Sequence, residues 1–305
     1  MSWFPRRVGV AFGEPVVELV KLGGSPLAFF TDTETRREAE RLRVPLRDLH
    51  LVDGVQLGRD ARPNGLIFHL PRSGSTLLSR LLSSQGNRAV VVEPEPIHAL
   101  LSHDGLRGHV RPEWLRDLAG IYVSSLSASG YRQVYFKLAS WTVLRIDLFE
   151  AAFPGIRICF VHRDPVEVAV QVLRRHTGWM AQDAREWMLG KTECADLDDA
   201  EYCARVLGEM CRRIAVAPSD ILCLDHRDLP FPGVERSLEF FGQSAPEDRR
   251  RMSRLACLDT DDVTLATKWE DDAASLHDSA SPRLQRLARE LVTPSLRRLT
   301  DRARA

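Results

Sequence analysis

The chain has 305 residues, enough for one large α/β domain or two small ones. Hydrophobic residues make up 44% and charged residues 28%, which excludes a disordered chain, a collagen-like repeat and a disulfide-dense mini-protein. Lys plus Arg and Asp plus Glu are 42 each, so the formal charge is zero and the basic excess typical of nucleic-acid binders is missing. Nucleic acid is therefore not an expected partner.

Residues 1–60 read as an N-terminal extension packed on the core. Arg6 and Arg7 lie near the start, but Gly9, Glu14 and Pro15 break up the residues after them, so the pattern is not that of a signal peptide. Residues 27–30 suggest a short strand, and residues 35–43 (TRREAERLR) a charged helix. Residues 59–65 are polar, hold Pro63 and read as a connector.

Residues 61–245 read as the main α/β domain. Apolar runs fall at 66–70, 89–92, 134–138, 156–161 and 221–224, with helical stretches between them. Runs apolar throughout suit strands covered on both faces. Leu77, Leu78, Leu81 and Leu82 repeat as a helix facing a sheet requires, and Val168, Ala169, Val172 and Leu173 do the same. The alternation predicts a doubly wound, mainly five-stranded parallel sheet with helices on both faces.

The most informative stretch joins the first run to its helix through Pro71-Arg72-Ser73-Gly74-Ser75-Thr76. The first N–H groups of a helix have no partner within it and present the positive end of its dipole. Gly74 admits a close ligand, Ser73, Ser75 and Thr76 add hydroxyl groups, and Arg72 adds a charged fork. This is an anion cradle. It is not the nucleoside-triphosphate loop, because no Lys follows Gly74. The fourth run ends in His162–Arg163, with no acidic residue at its tip to hold Mg²⁺, and no metal is expected.

In an open parallel sheet, ligands bind beyond the carboxyl ends of the strands. Charged groups fall there at four places: Arg72 with Ser73 after the first run, Glu93 after the second, Lys137 near the end of the third and Arg163 after the fourth. Glu93 is the candidate general base, with Glu95 behind it. A Lys inside an apolar run, as Lys137 is, is costly to bury without a task. His69 and His162 read as buried, satisfied histidines. His98, His103 and His109 are placed in a loop over the crevice, where they could line an acceptor site. Trp141, Trp179 and Trp187 read as core. No GxSxG elbow surrounds Ser75 or Thr76, so neither is a nucleophile.

Residues 178–215 read as helical cover. Residues 246–305 read as a helical cap or lid, with Leu284, Leu287, Leu291 and Leu299 on one amphipathic helix. The six cysteines form no CxxC pair, which suggests reduced thiols and a cytoplasmic protein. No apolar run approaches the ~20 residues of a membrane span.

Pro71-Arg-Ser-Gly-Ser-Thr-Leu resembles the 5′-phosphosulfate loop of the sulfotransferases that use 3′-phosphoadenosine-5′-phosphosulfate (PAPS). Residues 158–170 (ICFVHRDPVEVAV) resemble their 3′-phosphate segment, and residues 221–242 resemble their later strand and helix. The blocks keep the family's order over about residues 65–245. The resemblance implies that Arg72, Ser73, Gly74, Ser75 and Thr76 hold the 5′-phosphosulfate and that Arg163 holds the 3′-phosphate. Gln171 stands where the family usually has a Ser. The resemblance also gives Lys137 the role of neutralising charge on the transferring group or bridging oxygen, with Arg72. The tyrosylprotein branch has a basic Glu at a very similar distance after the loop Arg, which supports Glu93. The histidine base that cytosolic members carry shortly after their Lys has no counterpart in residues 138–141. The expected reaction moves a sulfuryl group to a hydroxyl or amine of a small-molecule or peptide acceptor. Two alternatives stay open: a kinase-like enzyme using ATP on this fold, and a non-catalytic nucleotide- or protein-binding module. The sequence leaves a homo-oligomer open.

Overall fold

The computed structural model describes residues 2–11, 13–22, 40–53, 55, 61–84, 87–106, 108–243 and 273–302. Two long strands, β1 (Ser2–Ala11) and β2 (Glu14–Leu22), turn at Gly13, whose φ of 78° suits glycine. β3 (Arg41–Pro45) adds to β2, and all three run antiparallel. Trp3, Phe4, Val17 and Leu19 are buried, while Glu18 takes ion pairs from Arg6 at 2.5 Å and Arg43 at 3.2 Å across the strands. This sheet is absent from the sequence reading, which the prolines and Gly9 misled. The charged helix over 35–43 is corrected at its end: residues 41–43 belong to β3, whose Arg41, Leu42 and Arg43 are exposed on one edge. Charge on an edge strand blocks further pairing, and it also imitates a polar helix. Residues 35–39 and the strand expected at 27–30 lie outside the described residues.

Beyond them the chain alternates. β4 (Gly65–His69) leads into α1 (Ser75–Ser83), then β5 (Arg88–Val92), α2 (Glu95–Ser102) and α3 (Pro112–Ala128). β6 (Gln133–Lys137), α4 (Ile146–Ala152), β7 (Ile158–His162) and α5 (Pro165–Arg174) come next. The helices α6 (Gln182–Leu189), α7 (Lys191–Cys194) and α8 (Asp199–Val216) then precede β8 (Ile221–Asp225) and α9 (Gly233–Phe240). The C-terminal part holds α10 (Ala273–Ser279), α11 (Pro282–Leu287) and α12 (Thr293–Arg302).

The strands form one five-stranded parallel sheet in the order β5-β6-β4-β7-β8. The first of these in the chain, β4, is the middle one, so later strands were added on both sides, as in a doubly wound sheet. Each apolar run of the sequence became one strand, with ends shifted by one or two residues. The run at 156–161 starts late because Pro154–Gly155 turns there, Gly155 at φ 70°.

The chain divides into two compact units, residues 1–66 with 82–157, and residues 67–81 with 158–305. In the first, α3 is tied to β1: the Tyr122 hydroxyl donates to the Pro5 carbonyl at 3.0 Å and the Ser125 hydroxyl to the Trp3 carbonyl at 2.7 Å. Tyr122 also meets Phe136 edge-on, with ring centroids 5.8 Å apart.

In the second unit α8 buries Tyr202, Cys203, Leu207 and Cys211. A π-helical turn, Ala288–Val292, joins α11 to α12. It widens the helix, so the buried stripe falls every fourth residue: Leu284, Ala288, Val292 and Leu296. That corrects the expected stripe, since Leu291 is turned outward and exposed and Leu287 is only half-buried. Gly208 of α8 faces this turn so closely that a Cβ there would collide with the Leu291 carbonyl oxygen. The five described cysteines are buried and form no disulfide with one another, and burial pushes the Cys159 thiol up to about 12. Cys257 lies outside the described residues. Among the described residues, no helix is long and apolar enough to cross a membrane.

Candidate functional site

The phosphate-cradle candidate sits in the second unit. β4 is buried throughout, so its end is fixed when the chain enters the loop. Leu70 N–H donates to the Val161 carbonyl at 3.0 Å, continuing the β4–β7 ladder one step. The backbone then leaves ordinary geometry: Arg72 has φ 56° and Gly74 has φ 87°. A left-handed Arg costs about 1–2 kcal/mol relative to a relaxed one. Alternation of this kind turns successive N–H groups to one side, the geometry of an anion nest. The first helical bond of α1 runs from Leu78 N–H to the Gly74 carbonyl at 3.1 Å. The N–H groups of Ser75, Thr76 and Leu77 therefore have no helical acceptor.

The side chains complete the cradle. Arg72 and Thr76 are exposed, whereas Ser73 and Ser75 are buried. The Ser73 hydroxyl is fully buried and has no hydrogen-bond partner among the described residues. An orphaned hydroxyl costs about 1–3 kcal/mol, and a bound anion would satisfy it. His226, just past β8, donates from Nδ1 to the Ser73 carbonyl at 3.1 Å and pins the loop from a second strand end.

Arg163 follows β7 in the same unit and is only 5% exposed. Its Nε donates to Glu167 Oε2 at 2.5 Å. Asp164 caps α5 by accepting from the N–H groups of Val166 at 2.8 Å and Glu167 at 3.4 Å, and Pro165 opens the helix. Gln171 lies on α5, half-buried. Asp164, Glu167 and His277 bring ligand atoms within 4.8 Å of one another, the spacing a metal could use. In the same cluster Glu167 is ion-paired with the Arg163 guanidinium.

The first unit carries the other candidates. Val92 and Lys137 are register partners on β5 and β6, and Glu93 N–H extends that ladder to the Lys137 carbonyl at 2.7 Å. Glu93 then turns into the left-handed region with φ 46°, directly before Pro94. Arg72 and Glu93 are the two non-glycine residues with positive φ among the described residues, and both were singled out from sequence. Strain of this kind concentrates where side chains must be aimed. Lys137 is buried at 3% exposure and donates from Nζ to Glu93 Oε1. The carboxylate itself stays 45% exposed, so it neutralises a buried ammonium while keeping a face in solvent.

His98 corrects the sequence reading. It stands on α2 rather than in a loop, because Pro94 and Pro96 open a helix instead of breaking one. Its Nε2 accepts from Ala139 N–H at 3.2 Å, which places its proton on Nδ1, and the ring meets Trp141 with centroids 5.6 Å apart. Burial holds the imidazole down at about 4, with Glu93 pulling it up and Lys137 pushing it down. It is neutral near pH 7, and its one basic nitrogen is occupied. Glu95 lies at the start of α2; partial burial raises its carboxyl, and Arg7 and Arg6 draw it back. His69 is buried, with Nδ1 donating to the Leu70 carbonyl at 2.9 Å, and burial lowers the pKa of His162.

The structure thus gathers Arg72, Ser73, Gly74, Ser75, Thr76, Arg163 and Gln171 in one unit, and Glu93 and Lys137 in the other. Sequence reasoning missed His226 and Glu167. His226 meets Ser73 from 153 residues away, and no local pattern announces that contact. Glu167 does carry a signal, its position four residues after Arg163 at a helix start.

A model of the sulfotransferase family matches residues 66–244, more than half of the chain. Among solved structures, a sulfotransferase from Alicyclobacillus acidocaldarius is 14% identical over 80% of this chain and 96% of its own, with a TM-score of 0.42. The sulfotransferase domain of the Synechococcus PCC 7002 olefin synthase is 15% identical over 81% of this chain and 98% of its own, also at 0.42. Sulfotransferase STF9 from Mycobacterium avium is 12% identical over 68% and 69%, at 0.38. No curated protein sequence matches the chain.

Proposed function

The chain belongs to the sulfotransferase family, and from that premise we propose that it transfers a sulfuryl group from PAPS to a hydroxyl or amine of a small-molecule or peptide acceptor, in the cytoplasm. PAPS supplies an activated sulfuryl group on a phosphate leaving group. The observation that carries the reading is the Ser73 hydroxyl, buried and, among the described residues, without a partner, between two left-handed neighbours, Arg72 and Gly74. That loop fits a group rich in acceptor oxygens.

Ser75, Thr76 and Leu77 offer backbone N–H groups, and Ser73, Ser75 and Thr76 offer hydroxyl groups, to the 5′ end of the nucleotide. Arg163, with Gln171, meets the 3′-phosphate. Glu93 takes the proton from the acceptor's hydroxyl or amine as that atom bonds to sulfur. Arg72 and Lys137 neutralise the charge that collects on the leaving oxygen as the bond from sulfur to phosphate oxygen breaks. Lys137 Nζ donates to Glu93 Oε1, which brings the base and the cation together at the ends of β5 and β6. His98 does not compete for this role, because its free ring nitrogen carries a proton and its Nε2 is engaged.

Isothermal calorimetry with adenosine 3′,5′-bisphosphate and with ADP tests the donor. A charge-assisted contact to the 3′-phosphate is worth about 1.5–3 kcal/mol, so the bisphosphate is expected to bind at least about tenfold tighter. Equal or tighter binding of ADP would overturn the PAPS assignment in favour of a kinase-like enzyme.

A further inference from the structure

The Glu167 side chain pairs closely with one of the groups assigned above to the nucleotide, Arg163. Both side chains are nearly out of solvent, Arg163 at 5% and Glu167 at 8% exposure. The contact uses the Nε edge of the guanidinium, at 2.5 Å. The other carboxylate oxygen, Oε1, lies 3.5 Å from Nε2 of His277 on α10, which also stands 3.3 Å from Asp164 Oδ1. The backbone of Glu167 is held as well, since its N–H donates to the Asp164 cap. Besides the arginine, the carboxylate therefore meets His277, and the backbone that carries it is tied to the Asp164 cap.

A guanidinium is a rigid plane with five N–H groups in a fork. Once its Nε edge is fastened, the direction of its two terminal nitrogens is set. We propose that Glu167 is a positioning residue. It sets the orientation of the Arg163 fork and so gives the site its preference for a 3′-phosphorylated nucleotide over a plain 5′-monophosphate. This rests on the reading above that Arg163 meets the 3′-phosphate. The competing consequence of the same contact is that Glu167 repels that phosphate and occupies its receptor. The two consequences differ in sign, and the carboxamide separates them. Gln at 167 can still accept from Nε, so it keeps the orientation and removes the charge.

The experiment is calorimetry with adenosine 3′,5′-bisphosphate and adenosine 5′-monophosphate on the full chain, the readout being the ratio of the two affinities. Glu167→Ala is expected to reduce the ratio about tenfold or more while monophosphate affinity stays within about twofold. Glu167→Gln is expected to keep at least the parent ratio. Arg163→Ala with Glu167→Ala is expected to be no worse than Arg163→Ala alone, because the two act as one unit. A Glu167→Ala protein that keeps the ratio, that binds the bisphosphate more tightly, or that loses both nucleotides equally while folded would overturn the inference. If Glu167→Ala does not fold, Glu167→Asp gives the same reading. Asp keeps the charge but is one methylene shorter and cannot hold Nε in the same place, so a retained ratio there overturns the proposal and a lost one supports it. A parent protein with no preference for the bisphosphate would sink the role of Arg163 itself, and this inference with it.

Discussion

Glu93→Gln is expected to lower kcat by about 10²–10⁴-fold while leaving the affinity for adenosine 3′,5′-bisphosphate within about twofold. The substitution keeps size and keeps an oxygen for Lys137 Nζ, so the strand ends need not move. It removes the ability to accept a proton. Glu93 is suited to that task by three features: a left-handed backbone at φ 46° directs it off the end of β5, its side chain is 45% exposed, and its Oε1 accepts a hydrogen bond from Lys137 Nζ. Turnover is read by formation of the bisphosphate product and binding by calorimetry. Near-normal turnover would move the base to Glu95, the other carboxylate on this stretch. Loss of nucleotide binding with intact chemistry would contradict the assignment altogether.

Lys137→Met is expected to reduce kcat by about 10²–10³-fold, with a small change in the Michaelis constant for the donor. Met matches the length and the apolar stem and removes the charge. The fold should tolerate it. A partner carboxylate left alone in a dry core is strongly destabilising, but Glu93 is partly in solvent and can rehydrate. A stable, well-folded variant with normal kcat would show that Lys137 is structural, a buried ammonium that only secures the end of β6.

What could be read from the sequence was local. The cradle is six consecutive residues, 71–76, between a buried strand and a leucine-rich helix, and its chemistry comes from their identity and order. The strands of the parallel sheet were legible for a similar reason. Strands covered on both faces are apolar throughout, and turns such as Pro154–Gly155 set their ends. The N-terminal sheet was not legible, because half its faces are wet. Glu18 between Val17 and Leu19 looks like an interruption until Arg6 and Arg43 are seen to bracket it. The charged edge of β3 has the composition of a helix, and only its pairing with β2 decides otherwise.

The site was read in part for the same physical reason. Arg72, Glu93, Lys137 and Arg163 each follow or end a strand, a position sequence can reveal. Other contacts of these units join residues far apart in the chain: His98 bonds to Ala139 from 41 residues away, and His226 to Ser73 from 153. His98 was placed in a loop, but Pro94 and Pro96 stand where proline is compatible with a helix, at its start. The C-terminal leucine stripe went wrong because a π turn changes the period, and nothing in residues 288–292 advertises one.

The central claim is that the N–H groups at the start of α1 clasp the phosphate end of a nucleotide. A crystal structure of the chain with adenosine 3′,5′-bisphosphate tests it most directly. The account predicts 5′-phosphate oxygens within about 2.7–3.2 Å of the N–H groups of Ser75 to Leu77, a hydrogen bond to the Ser73 hydroxyl, and the 3′-phosphate on Arg163. A nucleotide bound elsewhere, with that helix start unoccupied and the Ser73 hydroxyl still alone, would contradict it.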